Sequence, residues 1–409
     1  MLDAFSINTI SYIFLLGALV MILGRQLPVR LILIVAGCAM SMVMVEGMQI
    51  FYLSREMLYI ILALSLPLMV FDSFSIFRPG SWHTSTFMAF RTDSYQLIAS
   101  TALVGILAYA IFPGMGLIPA LFTGIIITIA SPYDSHRQPP SLHRHLLEDE
   151  ARISSALALT ATFVIISFLL FPQGMHPILH ILSGFGIGII MGFVTFRLCY
   201  HEGPLNHLIL LLSIILTYMI SHLLTASGVF AVAGLGIFYG AVITKRKGLL
   251  EEYTRGTIII AEILLFASLG IIAHIPFTWM FLLKVLAIYA LFLIVRYLSL
   301  RWTHHDFPDW ETRALLFMSP KGAPVAAIAL SLEVFGPHSL RLTIPLITGV
   351  VMISLLTSYI YGLIYVREKE TKTHPVRHGV CSVRKPQKGT KKRTDDSTKR
   401  KERKHARKT

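Results

Sequence analysis

Apolar stretches of about 20 residues alternate along the chain with short polar connections. That is the length a helix needs to cross a hydrocarbon core about 30 Å thick. Thirteen such stretches can be read: 7–24, 29–46, 57–77, 94–112, 116–133, 151–171, 177–197, 205–223, 227–244, 257–275, 278–296, 313–333 and 341–366. Two are unusual. The stretch 116–133 has Pro119 near its start and Ser131-Pro132 at its end, and 227–244 contains four glycines. The pattern predicts an all-α polytopic membrane protein over residues 1–366, followed by a polar segment.

Composition agrees. The 409 residues are 55% hydrophobic and 14% charged, with a mean hydropathy of +0.68. A soluble globular chain carries about 25% charged residues, and a disordered one has far fewer apolar residues. The net charge of +14 is uneven. Residues 367–409 hold 17 Lys/Arg against 5 Asp/Glu, a net of +12, which leaves +2 for the other 366 residues. This segment, with its runs Lys391-Lys392-Arg393 and Lys399-Arg400-Lys401, cannot bury a core and is expected to be a disordered tail. Its expected contact is with anionic lipid headgroups, at up to about 1 kcal/mol per basic residue near the surface. No aromatic residue interleaves the charges to stack on bases, so nucleic acid is not an expected partner.

The connections orient the chain. Odd-numbered ones hold 15 Lys/Arg, ending with Arg296, Arg301 and Arg313, whereas even-numbered ones hold Arg55 and Arg341. The positive-inside rule then puts the N-terminus outside and the tail in the cytoplasm, with the plasma membrane as the expected location. No basic region precedes the first apolar stretch, so a cleaved signal peptide is not expected. Cys38, Cys199 and Cys381 show neither a disulfide framework nor metal-ligand spacing.

Two stretches are interrupted in the same way. The fifth ends Ile129-Ala130-Ser131-Pro132, and the twelfth contains Met318-Ser319-Pro320-Lys321-Gly322. Proline removes a helical hydrogen bond, and the freed backbone groups cannot face lipid. The two stretches are seven apart and therefore run in opposite directions. Paired breaks in two inverted repeats point to the substrate site of a secondary transporter, although Pro and Gly are also simply common in membrane helices. Ser131 and Ser319, 188 positions apart, are then expected to lie close together where two broken helices cross near the midplane.

Ionisable residues within apolar stretches are costly and usually functional. Lys321 lies mid-stretch between Pro320 and Gly322, as part of a site or of a helix-holding ion pair. Asp72 sits near the cytoplasmic end of the third stretch, where it can serve a site or reach water. Glu150 opens the sixth, where a helix N-terminus also favours an acid. Glu262 lies about one turn into the tenth and is a reserve candidate. Asp93 falls outside the fourth stretch and is set aside with the loop acids. His136, His143 and His145, and the His304-His305-Asp306 cluster, lack a metal-site pattern. No G-x-S-x-G, Walker-type or kinase-type signature is present, so a membrane-embedded enzyme is the weaker class, and no cofactor is implied.

In this arrangement the chain resembles the monovalent cation:proton antiporters of the sodium/proton exchanger superfamily over roughly residues 7–366. The residues that carry the resemblance are Ala130-Ser131-Pro132 at the fifth-span break, Glu150-Ala151-Arg152-Ile153-Ser154-Ser155 opening the sixth, and Ser227-Gly228-Val229-Phe230-Ala231-Val232 in the ninth. Lys321-Gly322-Ala323 before an alanine-rich run and Asp72 late in the third complete it. The resemblance implies a compact core domain around spans five and twelve, a scaffold, a homodimer, and exchange of a monovalent cation (Na+ first, with K+ and Li+ as alternatives) for H+. The chain departs from the family where the family's span-six Asn-Asp reads Ser154-Ser155 and its span-five aspartate reads Ser131. A hydroxyl can ligate a cation but does not exchange a proton near neutral pH.

Three readings stay open: an antiporter using a displaced carboxylate, an uncoupled transporter (uniporter, leak or carrier of another solute), and a non-transporting membrane protein acting through its tail. Under the first, Asp72, Glu150, Ser131, Ser154, Ser155 and Lys321 form the ion and proton site. Lys321 is then expected inside the protein, beside Asp72 or Glu150. Replacing both acids, Asp72→Asn with Glu150→Gln, is expected to abolish proton-coupled Na+ or Li+ uptake into vesicles. Undiminished uptake would move the assignment to Glu262.

Overall fold

The computed structural model describes residues 4–23, 28–45, 48–49, 51–75, 84–129, 141–170, 176–199, 206–242, 247–303, 309–317, 321–336 and 338–373. The chain divides into two units, Met1–Val366 and Arg367–Thr409. Ser131, Ser319, the metal-like histidine clusters and the basic runs of the tail lie outside the described residues or have side chains that do.

The described part is helical apart from a two-residue antiparallel ladder, Met44–Val45 with Met48–Gln49, paired Met44 to Gln49 and Val45 to Met48. The helices are α1 (Ala4–Leu23), α2 (Val29–Met42), α3 (Arg55–Phe74), α4 (Thr84–Ile111), α5 (Leu117–Thr128), α6 (Ser141–Leu170), α7 (Pro177–Leu198) and α8 (Asn206–Leu223). They continue with α9 (Gly228–Val242), α10 (Lys247–Ile272), α11 (Trp279–Thr303), α12 (Asp309–Phe317), α13 (Ala323–Phe335), α14 (His338–Arg341) and α15 (Thr343–Thr373). Every predicted apolar stretch contains helix among its described residues. Seven of the helices are long and apolar enough to cross a membrane: α3, α4, α6, α7, α8, α11 and α15. Shorter apolar helices fill the remaining stretches.

Local chemistry sets several ends. Ser54 caps α3 by accepting a hydrogen bond from the Met57 N–H. Pro177 occupies the first turn of α7, where its missing N–H costs nothing. The ladder at Met44–Val45 is a correction to the apolar stretch 29–46: the chain leaves the helix after Met42, where Val43 is extended.

Helices with nothing but lipid as the alternative neighbour associate by close packing of small residues. On α7, Gly184 and Gly188 stand one turn apart. A Cβ at Gly184 would lie 2.4 Å from the Ser227 carbonyl oxygen, and one at Gly188 would lie 1.9 Å from that of Ala231, so α9 rests on the α7 backbone. The α2–α10 contact is equally close: a Cβ at Gly37 would lie 2.4 Å from the Ala267 oxygen, and one at Gly270 2.3 Å from the Ile34 oxygen.

The two broken stretches occupy the centre. Helix α5 is buried from Phe122 to Thr128, and the chain turns extended at Ile129. The twelfth stretch is two helices, α12 and α13, separated by a non-helical segment through Lys321 and Gly322. Every residue of α13 from Ala323 to Leu332 is buried, and α13 packs on α3, α10, α6 and α5. The short halves are thus the interior and the long helices surround them.

Gly270→Leu is expected to lower the detergent melting temperature, because a side chain there meets backbone that cannot yield. Overpacking costs typically about 1–3 kcal/mol. A thermal melt of the purified variant beside wild type measures this, and an unchanged melt would contradict the close α2–α10 contact.

Candidate functional site

The break in the twelfth stretch gathers four ionisable side chains from four different parts of the fold: Asp93 of α4, Glu150 of α6, Arg296 of α11 and Lys321 between α12 and α13. All are buried, with relative exposures of 3%, 3%, 1% and 1%. Each acid lies within electrostatic reach of both bases. Two acids and two bases balance in charge, which lets the group exist away from water.

Arg296 ties the cluster together. Its Nη2 donates to Glu150 Oε1 and, at 3.0 Å, to the Leu315 carbonyl. Leu315 is in the last turn of α12, whose final carbonyls have no partner within the helix. A guanidinium there satisfies one carbonyl and opposes the negative end of the helix dipole. Arg296 therefore fastens α6 and α11 to the helix that ends at the break. The other edge of the break is held by α15, because the Lys321 backbone N–H donates to Ser354 Oγ at 3.2 Å. The far end of α13 is fixed by Arg55, whose Nε and Nη2 donate to the Val334 carbonyl at 3.2 and 2.5 Å.

Lys321 points inward. Its Nζ lies 3.8 Å from the centre of the Phe292 ring, a cation–π contact in a desolvated setting. It has no hydrogen-bond acceptor among the described residues. Ser154 and Ser155 are buried on α6, where their hydroxyls donate to the Ala151 carbonyl at 3.1 and 2.8 Å. Asp72 is half-buried near the end of α3. Ser131 follows α5 outside the described residues. Of the sequence candidates, the structure therefore brings Glu150 and Lys321 into one cluster and places Ser154 and Ser155 a turn beyond Glu150 on α6.

Three sequence expectations are corrected. Glu150 does not open its helix: α6 begins at Ser141, so the dipole account of an N-terminal acid gives way to a buried ion pair. Arg296 is not in a loop: α11 continues to Thr303 and the guanidinium is inside the protein. Asp93 is not a loop acid: α4 begins at Thr84, ten positions before the predicted stretch. All three errors share a cause. Hydropathy ends an apolar run at a charge, whereas the helix continues because neighbouring helices neutralise that charge. The signal was available as periodicity. Val285, Ile288, Tyr289, Phe292 and Val295 are buried on α11, and Arg296 continues that stripe. Glu262, the reserve candidate, is engaged: Arg30 grips it with two bonds, Nε to Oε2 at 3.2 Å and Nη2 to Oε1 at 2.9 Å.

Interrupted helices enclosed by protein, with compensated charges at the interruption, define a secondary transporter of the broken-helix class. The comparisons agree. The sequence model of the family described as "Sodium/hydrogen exchanger, transmembrane" matches residues 10–361, and the chain belongs to that family. No curated protein matches it. Among solved structures, that of the sodium proton antiporter MjNhaP1 from Methanocaldococcus jannaschii, at pH 8, superposes with a TM-score of 0.65. It does so at 16% identity over 90% of this chain and 97% of that one, a likeness of fold.

Removing either member of the buried Glu150–Arg296 pair leaves an uncompensated charge, at a cost of about 3–5 kcal/mol. Glu150→Gln and Arg296→Gln are each expected to lower stability by that order, and the double variant by less than their sum. A double-mutant cycle on detergent unfolding measures the coupling. Strict additivity would mean that the two side chains do not act as a pair.

Proposed function

We propose that the protein exchanges a monovalent cation, Na+ first, for protons across its membrane, and that the exchange takes place at the break in the twelfth stretch. The observation that carries this reading is the burial of Asp93, Glu150, Arg296 and Lys321 together at that break in a chain of the exchanger family. A carboxylate enclosed by protein can hold a partly dehydrated cation or a proton, and that mutual exclusion couples the two fluxes. In this reading Ser131, Ser154 and Ser155 offer neutral oxygens to the cation. Glu150 and Asp72 supply negative charge, and Lys321 is the standing positive charge that stabilises the emptied site.

The surroundings follow from the same reading. Thirteen crossings put the N-terminus outside and the basic tail in the cytoplasm. Arg296 leaves the tally of cytoplasmic charges, and fourteen still face two. A homodimer in the plasma membrane, with the tail on anionic lipid, completes the proposal.

The neutral pair Ser154 and Ser155 favours a second reading, in which the cation passes without proton coupling. Purified protein in liposomes separates the two. Sodium uptake into acid-loaded vesicles is expected to be several-fold faster than into vesicles without a pH gradient, and to fall back when a protonophore together with a potassium ionophore collapses the gradient. Uptake indifferent to the gradient would establish the uncoupled reading in its place.

A further inference from the structure

The four charges at the break are not equally engaged. Glu150 accepts from Arg296, and Arg296 also donates to the Leu315 carbonyl. Asp93 is different. Both carboxylate oxygens are buried and neither has a hydrogen-bond partner among the described residues. Leaving a carboxylate without a partner in a dry interior is among the most costly arrangements a fold can hold. A structural acid would be expected to have acquired partners, as Glu150 has.

Asp93 also begins a stripe. Gln96 and Ser100 follow at three and seven positions, which puts them on one face of α4. Both are buried, and Gln96 Nε2, Gln96 Oε1 and Ser100 Oγ also lack partners among the described residues. The carboxylate, carboxamide and hydroxyl groups of this one face are thus all unpartnered within an apolar fold. The face is enclosed, and α4 packs against α5, α6 and α11. The contact with α5 is a backbone contact: a Cβ at Gly124 would lie 2.7 Å from the Ser100 carbonyl oxygen.

The charged groups that act on Asp93 from the packed elements are Glu150 on α6, Arg296 on α11 and Lys321 before α13. Helix α5 contributes no ionisable side chain. Arg296 commits Nη2 to Glu150 and Leu315, whereas its Nε and Nη1 have no partner among the described residues. The Asp93 carboxylate and the Lys321 ammonium are the charged side chains of the cluster that make no hydrogen bond at all among the described residues. Ser154 and Ser155 on the facing α6 are neutral.

We infer that Asp93 is the carboxylate on which cation and proton compete, and that Gln96 and Ser100, on the same face of α4, supply neutral oxygen ligands to the cation. This rests on the exchanger reading and deepens it by moving the competing acid to α4, away from Glu150 and Asp72. Glu150 is instead a positioning residue that holds Arg296 against the end of α12. The exchange balances in charge: a monovalent cation leaves the Asp93 oxygens as one proton arrives, and no bond within the protein is made or broken.

The test uses the full chain in liposomes. Wild type, Asp93→Asn, Asp93→Glu, Gln96→Leu and, as a control at the exposed first turn of α3, Glu56→Gln are reconstituted and compared for sodium uptake driven by a pH gradient. Sodium protection against thermal unfolding is read in detergent. Asp93→Asn is expected to lose coupled uptake to the level of protein-free vesicles and to lose sodium protection, and Glu56→Gln to match wild type. Gln96→Leu is expected to raise the sodium KM while keeping the coupling. Asp93→Glu, which keeps the charge but displaces it by one methylene, is expected to fold and exchange with an altered preference between Na+ and Li+. Should Asp93→Asn fail to fold, this variant decides: wild-type KM values for both ions would overturn the inference. Coupled uptake surviving in a folded Asp93→Asn would overturn it too, with the exchanger reading intact. Wild-type protein without coupled uptake would overturn the exchanger reading itself.

Discussion

A helix broken inside a bilayer exposes carbonyl and amide groups that lipid cannot satisfy, and much of this fold answers that constraint. Arg296 meets one end of the break by donating to the Leu315 carbonyl, Ser354 meets the other by accepting from the Lys321 N–H, and Arg55 meets the far end of α13. Each of these side chains comes from a different helix, so the break holds together only when those helices have assembled. Arg296 must itself be neutralised, which requires Glu150 on α6. One interrupted backbone thus fixes the relative placement of α3, α6, α11, α13 and α15.

That dependence explains the distribution of burial. Of the interrupted halves, α13 is almost wholly enclosed and α5 is enclosed from Phe122 to Thr128. The longer helices α4, α7, α8 and α11 each leave large apolar side chains outward, such as Ile98, Ile190, Leu212 and Ile294. In water this distribution would be an aggregation hazard, whereas in lipid it is the expected outer surface. The tight glycine contacts between α7 and α9 and between α2 and α10 serve the same end, since close approach of backbones is what holds helices together where no hydrophobic driving force separates them from lipid.

The break also concentrates the chemistry. A non-helical segment enclosed by protein is where polar side chains can gather without facing lipid. The members of the cluster divide into those that brace it, Glu150 and Arg296, and those whose side chains make no hydrogen bond among the described residues, Asp93 and Lys321. The bracing pair is joined through Arg296 Nη2 and Glu150 Oε1. An exchange site needs the opposite, a group whose best partner is absent from the protein. Where the resemblance implies a span-six acid the chain has Ser155, a neutral residue on the α6 that packs against α4.

The sequence by itself determined the class of fold. Runs of about 20 apolar residues admit little other than membrane helices, and Ser-Pro in two of them pointed to interruptions, because proline removes a helical hydrogen bond, although α3 runs on through Pro67. It also showed that Lys321 and Glu150 sit against apolar sequence. What it left open were partners. Asp93 and Arg296 read as ends of apolar runs, since hydropathy counts a charge without knowing whether a counter-charge stands across from it. Only the tertiary structure decided that both lie inside, on helices 203 positions apart in the chain. A buried charge is tolerated or excluded by what packs against it, and that information is carried by the assembled helices and by no single segment of the sequence.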